Sequence, residues 1–117
     1  MIEALLVGIG GAIGAVLRYL VGLSFSTLDT RFPFDTLSVN VLGSFVLGWV
    51  TFGGASEGIL LTVGIGACGA FTTFSSFSVD TVRLVEEDRP VLAGVYALSN
   101  VLLSVGAVGL TALGTTV

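Results

Sequence analysis

The chain has 117 residues, of which 54% are hydrophobic and 10% are charged, and its net charge is −4 at pH 7. Soluble domains have about 25% charged residues, and a soluble chain of this length could not bury so much apolar surface. Histidine and lysine are absent and Cys68 is the single cysteine. This composition argues against imidazole chemistry, an internal disulfide, a cysteine metal cluster and a surface for nucleic acid. It predicts one integral membrane domain over residues 1–117.

The first uncharged span covers about residues 4–23 and is interrupted by Arg18. Gly10, Gly14 and Arg18 recur every four residues, so they share one face of a helix. Two interpretations of this face remain open. The face either packs against another helix while Arg18 reaches the headgroups, or it places Arg18 in a wet vestibule where its charge attracts anions.

The second span covers about residues 36–52, and Thr36, Asn40, Ser44 and Gly48 again recur every four residues. A side-chain amide inside a bilayer needs hydrogen-bond partners. Asn40 therefore either joins two helices or offers its N–H groups to a passing anion.

The third span covers about residues 59–79 and is a poor continuous helix. Gly66 and Gly69 weaken its backbone, and five hydroxyl residues lie between positions 72 and 78. Irregular backbone is tolerated in lipid only where protein buries it or where it lines a wet cavity. The pattern predicts a break over residues 69–73 that binds an ion, with a small-residue packing face as the alternative.

The same span offers two kinds of ligand. Phe74 and Phe77 share a helical face, and the electropositive edges of their rings can accept a small anion, although phenylalanine in a membrane helix often only packs. A break would also free backbone carbonyls, which are good ligands for Na⁺.

The fourth span covers about residues 91–113, with Pro90 placed to begin a helix. Tyr96, Asn100 and Ser104 form a four-residue stripe that suits the wall of a polar path, although Tyr96 could instead belong to an interfacial aromatic belt. Four spans of about 20 residues predict four transmembrane helices with short loops. The arginines lie near the first and third loops, which predicts that this side is cytoplasmic and that both termini are outside.

An enzyme is not expected, because no carboxylate lies well inside a span and the usual bases that activate serine are missing. A proton-coupled efflux transporter of the small four-helix type is an alternative, but it requires a buried glutamate in the first helix and Glu3 is too close to the terminus. A scaffold whose polar residues only join helices is a third possibility.

Together these motifs resemble the CrcB/Fluc fluoride channel family, in the family's order and over all four spans. The matching segments are GGAIGAVLRY (10–19), TLSVNVLGSFVLG (36–48), GACGAFTTFSSFS (66–78) and the Tyr96, Asn100, Ser104 stripe. The resemblance implies an all-α dimer of two antiparallel four-helix subunits in the plasma membrane, enclosing two narrow pores. Each pore would let F⁻ that was trapped after entering as neutral HF leave the cytoplasm passively.

The resemblance also implies roles for individual residues. Arg18 matches the vestibule arginine, and the pore residues would be Asn40, Phe74, Phe77, Thr73, Ser75, Tyr96, Asn100 and Ser104. Hydroxyl residues also occur in the family where Asn100 stands. The break resembles a structural Na⁺ site at the dimer interface, with the backbone carbonyls of Gly69 and Thr72 as ligands. A homodimer requires insertion in both directions, which the arginine bias opposes, so a homodimer and a heterodimer with an oppositely oriented paralogue both remain open.

Overall fold

The computed structural model describes residues 1–116 and consists of helices joined by short connections. Two long helices come first, one long helix comes last, and a segment made of several shorter helices lies between them. The bounds are α1 Ile2–Phe25, α2 Phe34–Phe52, α3 Glu57–Ile59, a π-helix Leu60–Cys68, α4 Gly69–Phe71, α5 Ser75–Glu86 and α6 Pro90–Thr116.

Four helical segments among the described residues are long and apolar enough to cross a membrane. Each contains one predicted span and extends beyond it: Ile2–Phe25, Phe34–Phe52, Glu57–Glu86 and Pro90–Thr115. The prediction of an all-α protein with four such helices is confirmed. The structure contains one chain, so the antiparallel dimer stays a prediction.

The third span, Glu57–Glu86, is broken, as predicted from its glycines and hydroxyl residues. The helix continues through α4, and the backbone turns extended at Thr72 (φ −82°, ψ 164°) before α5 begins at Ser75. The break therefore lies at residues 72–74, which overlaps the last two residues of the predicted interval 69–73 and extends one residue beyond it. Gly69 itself is still helical, which shows that glycine alone does not set the position of the break.

Before the break, the π-helix packs against α1 through close contact of the two backbones. A Cβ atom at Gly10 would collide with the Thr62 carbonyl, and one at Gly14 would collide with the Ala67 carbonyl. From the opposite side, a Cβ at Gly66 would lie 3.1 Å from the Gly10 Cα. The glycine face of α1 is thus a packing face, and it holds the third span directly against the first.

The buried core lies where α5 meets α6. Leu84, Ala93 and Tyr96 are buried there, and partly buried apolar side chains surround them: Phe32, Leu37, Phe77 and Leu92. Elsewhere large apolar residues are exposed on the single chain, as Ile13 on α1 and Leu110 on α6 illustrate. Such a surface suits lipid or a second subunit rather than water.

Candidate ion-binding groove at the helix break

The break in the third span is stabilised by hydrogen bonds from side chains. In a continuous α-helix the Thr73 N–H would donate to the Gly69 carbonyl, but here it donates to Asn40 Oδ1 on α2 at 2.8 Å. The Ser76 N–H then donates to Thr73 Oγ1 at 3.1 Å, as first-turn N–H groups do to a capping hydroxyl. The position of the break therefore depends on Asn40 and on Thr73.

Two side-chain amides connect this break to α6. Asn40 Nδ2 donates to Asn100 Oδ1 at 2.9 Å, and Asn100 Nδ2 donates to the Tyr96 carbonyl one turn earlier on α6 at 3.0 Å. Asn100 is 4% exposed. Four predicted pore residues thus form one hydrogen-bonded chain between the second, third and fourth spans: Thr73, Asn40, Asn100 and Tyr96.

The aromatic residues form a row beside these amides. The centroids of the Phe74 and Phe77 rings are 5.7 Å apart with 42° between their planes, and Phe77 lies equally far from Tyr96. Phe74 is 79% exposed, whereas Tyr96 is fully buried. The row therefore leads from the surface of the chain into its core.

A groove of about 580 Å³ runs between α2, the third span and α6. It brings together most of the predicted pore residues on one surface, which is lined by Asn40, Thr73, Phe74, Phe77, Asn100 and Ser104. Its other walls are mainly apolar or glycine. The groove thus combines amide and hydroxyl groups with aromatic rings in a surface that is otherwise apolar.

Two predicted pore residues lie beside this groove and not in its lining. The hydroxyl oxygens of Ser75 and Thr73 are 3.3 Å apart. Tyr96 contributes its backbone carbonyl to Asn100, while its own hydroxyl donates away from the groove to Asp80 at 3.1 Å.

Arg18 lies at a second cavity, of about 460 Å³, whose lining includes Tyr19, Asp35 and Thr36. Its Nη2 atom donates to Ser76 Oγ at 2.6 Å. The guanidinium is therefore directed at the start of α5, next to the break. Whether this cavity forms a vestibule stays a prediction.

Sequence reasoning did not assign three residues of this polar network to the site. Asp80 accepts hydrogen bonds from Thr36 Oγ1 at 2.9 Å and from Tyr96, and lies 3.6 Å from Arg83. Ser76 is the partner of Arg18. Thr36 shares the four-residue stripe of Asn40, and this was a usable signal, whereas no periodicity identified Asp80 or Ser76.

One backbone carbonyl at the break fits the role of a ligand to a structural cation. The Gly69 carbonyl lacks its usual helical donor because the Thr73 N–H bonds to Asn40, and Gly69 is exposed with open space where a Cβ would stand. Within residues 1–116 no cluster of three or more His, Cys, Asp or Glu side chains could hold a metal.

Comparison with known proteins gives a family match and named relatives. The family model described as "CrcB-like protein, Camphor Resistance (CrcB)" matches residues 5–114. "Fluoride-specific ion channel FluC 1" of Halobacterium salinarum is 57% identical, over 85% of this chain and 82% of the relative. "Fluoride-specific ion channel FluC 2" of Haloarcula marismortui is 50% identical over 92% and 89%. "Fluoride-specific ion channel FluC" of Rhizobium etli is 47% identical over 92% and 91%.

Proposed function

The chain belongs to the CrcB-like protein family, and from this membership we propose that it is a fluoride-specific ion channel. It would let F⁻ leave the cytoplasm passively through the plasma membrane and so lower intracellular fluoride. Its relatives are named as channels and not as enzymes, which agrees with the prediction from the sequence that this chain is not an enzyme.

The observation that carries the proposal is the composition of the groove. Asn40 and Asn100 supply amide groups, Thr73 and Ser104 supply hydroxyls, and Phe74 and Phe77 supply rings, all on one surface. Its lining residues among positions 1–116 include no carboxylate that would repel an anion.

Selectivity for fluoride would follow from replacing the hydration shell of a small, hard anion with close donors. The Asn40 amide and the hydroxyl groups give hydrogen bonds, and the electropositive edges of Phe74 and Phe77 give weaker contacts without a formal charge. Chloride is larger, so a narrow path lined by these groups would fit it poorly. Arg18 would raise the local anion concentration near one end of the path, because its positive charge is held next to the break.

The proposal includes an antiparallel dimer, made either with a second copy or with an oppositely oriented paralogue. In that dimer the Gly69 and Thr72 carbonyls of each subunit would hold one structural Na⁺, which is bound and not transported. Two observations support this arrangement: Gly69 is exposed on the single chain, and its carbonyl lacks its helical donor. The bound cation would attract the carbonyl oxygens at the break of each subunit and so hold the two subunits together.

The test is fluoride efflux from liposomes that contain the purified chain, measured with a fluoride electrode beside a chloride control. Fast fluoride release without chloride release supports a channel that works with this chain alone. Phe52→Ile is a matched control for phenylalanine substitutions, because Phe52 is 48% exposed at the far end of α2 and outside the groove. If the chain alone is silent, addition of an oppositely oriented paralogue distinguishes a missing partner from a wrong function.

A further inference from the structure

The two asparagines differ in what holds their side chains. Asn40 contacts two other elements of the protein, whereas the amide nitrogen of Asn100 is anchored to its own helix through the Tyr96 carbonyl. The donor and the acceptor of each of these hydrogen bonds can be assigned in turn, starting from the Thr73 N–H.

The Thr73 N–H can only donate, so the Asn40 atom that faces it must be the carbonyl oxygen Oδ1. With Oδ1 on the Thr73 N–H, Nδ2 of Asn40 is directed toward α6, and a second contact there would hold the other end of the amide. Asn100 Oδ1 provides this contact as the acceptor. The Asn100 amide is in turn held in this orientation because its Nδ2 group donates to the Tyr96 carbonyl.

Asn40 Nδ2 carries two hydrogens, and the described contacts of residues 1–116 use one of them, for Asn100. Since Asn40 lines the groove, the orientation of its amide decides whether an N–H or a C=O group is available there. A flipped Asn40 would present its oxygen toward Asn100 and the groove, where an anion would be repelled.

We propose that Asn100 is a positioning residue that, together with the Thr73 N–H, holds the orientation of the Asn40 amide, and so presents an Asn40 N–H to fluoride and keeps Asn40 Oδ1 on the Thr73 N–H. The inference rests on the proposed function only for the identity of the anion. It assigns to Asn100 a role through Asn40, which differs from direct contact with the ion.

The hydrogen bonding of the Asn40 amide can be measured directly, because asparagine occurs only at positions 40 and 100 and glutamine is absent. Labelling with ¹⁵N-asparagine therefore gives two side-chain NH₂ groups in an NMR spectrum of the reconstituted protein. In Asn100→Leu the single remaining group belongs to Asn40. We expect its hydrogen-bonded Nδ2 proton to move upfield and to exchange faster with water, and fluoride flux to fall by roughly tenfold, as loss of one directed hydrogen bond implies.

Asn100→Ser is the second variant, because serine satisfies its own hydroxyl on the carbonyl one turn earlier and is tolerated in a buried helix. Serine lacks the side-chain carbonyl oxygen that accepts from Asn40 Nδ2, so we expect the same direction of change in the Asn40 signal with a smaller loss of flux. Leu102→Ala is the matched control on α6. Leu102 is 65% exposed and lies outside the groove, so both asparagine signals and the flux should remain as in the original chain.

An Asn40 signal that is unchanged in both Asn100 variants overturns the inference, whatever happens to flux. Lost flux with an unchanged Asn40 signal would show that Asn100 contacts the ion directly. A shifted Asn40 signal with normal flux and normal rejection of chloride would also overturn the positioning role. If the original chain conducts no fluoride, the proposed function fails, whereas the Asn40 signal still reports whether Asn100 orients that amide.

Discussion

Phe74 and Phe77 are three residues apart with ring centroids 5.7 Å apart, but they have different surroundings. Phe74 is 79% exposed, whereas Phe77 is partly buried and packs against Tyr96. Phe74 therefore only lines the groove, whereas Phe77 lines the groove and also packs against the buried core.

Phe74→Ile and Phe77→Ile should both abolish fluoride flux, because each removes a ring edge from the groove. Phe74→Ile should leave the thermal unfolding temperature in detergent nearly unchanged, since exposed substitutions usually change stability by less than about 0.5 kcal/mol. Phe77→Ile should lower it, because a change of shape in a packed cluster costs about 1–3 kcal/mol. Both variants should elute as the original assembly in size-exclusion chromatography, and normal flux in both would disprove the assigned path.

Asn40→Ala should destabilise the protein and abolish fluoride flux. The substitution leaves the Thr73 N–H and Asn100 Oδ1 without their partners, and each unsatisfied buried group costs about 1–3 kcal/mol. Thermal unfolding and liposome flux measure the two effects. Ser38→Ala, two residues away on α2, is the control. Equal unfolding temperatures for Asn40→Ala and the control would mean that Asn40 does not stabilise the break.

Gly10→Ala and Gly14→Ala should each lower the unfolding temperature, because the added methyl group collides with a backbone carbonyl of the third span. The backbone cannot move aside as a side chain can, so we expect each substitution to lower the free energy of unfolding by about 1–3 kcal/mol. Gly8→Ala and Gly22→Ala are matched controls on α1, since nothing lies within 4 Å of a Cβ at either position. A cost in the controls equal to that at Gly10 would contradict the packing geometry.

Arg18 is expected to act by its charge and also by its hydrogen bond to Ser76. Arg18→Met removes both, so fluoride flux should fall strongly. Ser76→Ala removes only the hydrogen bond and should cause a smaller loss, of about threefold to tenfold. Measurement of both at low and high ionic strength separates the effects, because screening by salt weakens only the contribution of charge. Equal losses in the two variants at every ionic strength would assign the whole effect to the contact with Ser76.

Removal of Na⁺ should destabilise the dimer if the Gly69 and Thr72 carbonyls bind it. The dimer would then unfold at a higher temperature as Na⁺ concentration rises, since a ligand that binds only the folded state stabilises it by mass action. The measurement is thermal unfolding in NaCl against equal concentrations of N-methylglucamine chloride, which keeps ionic strength constant. Curves that coincide in the two salts would exclude a structural sodium site at the break.

The four helices were predictable because each span is long and nearly free of charge, and the break was predictable because glycine and hydroxyl residues crowd one segment. The limits of the break at residues 72–74 were not predictable, because the residue that accepts from the Thr73 N–H is Asn40, 33 positions earlier. The π-helix at Leu60–Cys68 was also not predicted, since its apolar and small residues have no feature that distinguishes it from an α-helix.

The groove was partly predictable for a related reason. Stripes with a spacing of four residues assigned Asn40 and Asn100 to single faces of their helices, and periodicity is a local property. The pairing of Arg18 with Ser76 spans 58 positions, and that of Thr36 with Asp80 spans 44. Contacts of this kind depend on how the helices pack, which no local pattern encodes.

The break in the third span also brings two helix ends of opposite polarity close together. The segment that finishes at Phe71 ends in carbonyl groups and carries partial negative charge, while α5 begins at Ser75 with N–H groups and partial positive charge. In general, the carbonyl end of a helix favours positive charge and the N–H end favours negative charge. A single interruption of three residues, 72–74, thus places partial charges of opposite sign next to each other, although none of these three residues is itself charged.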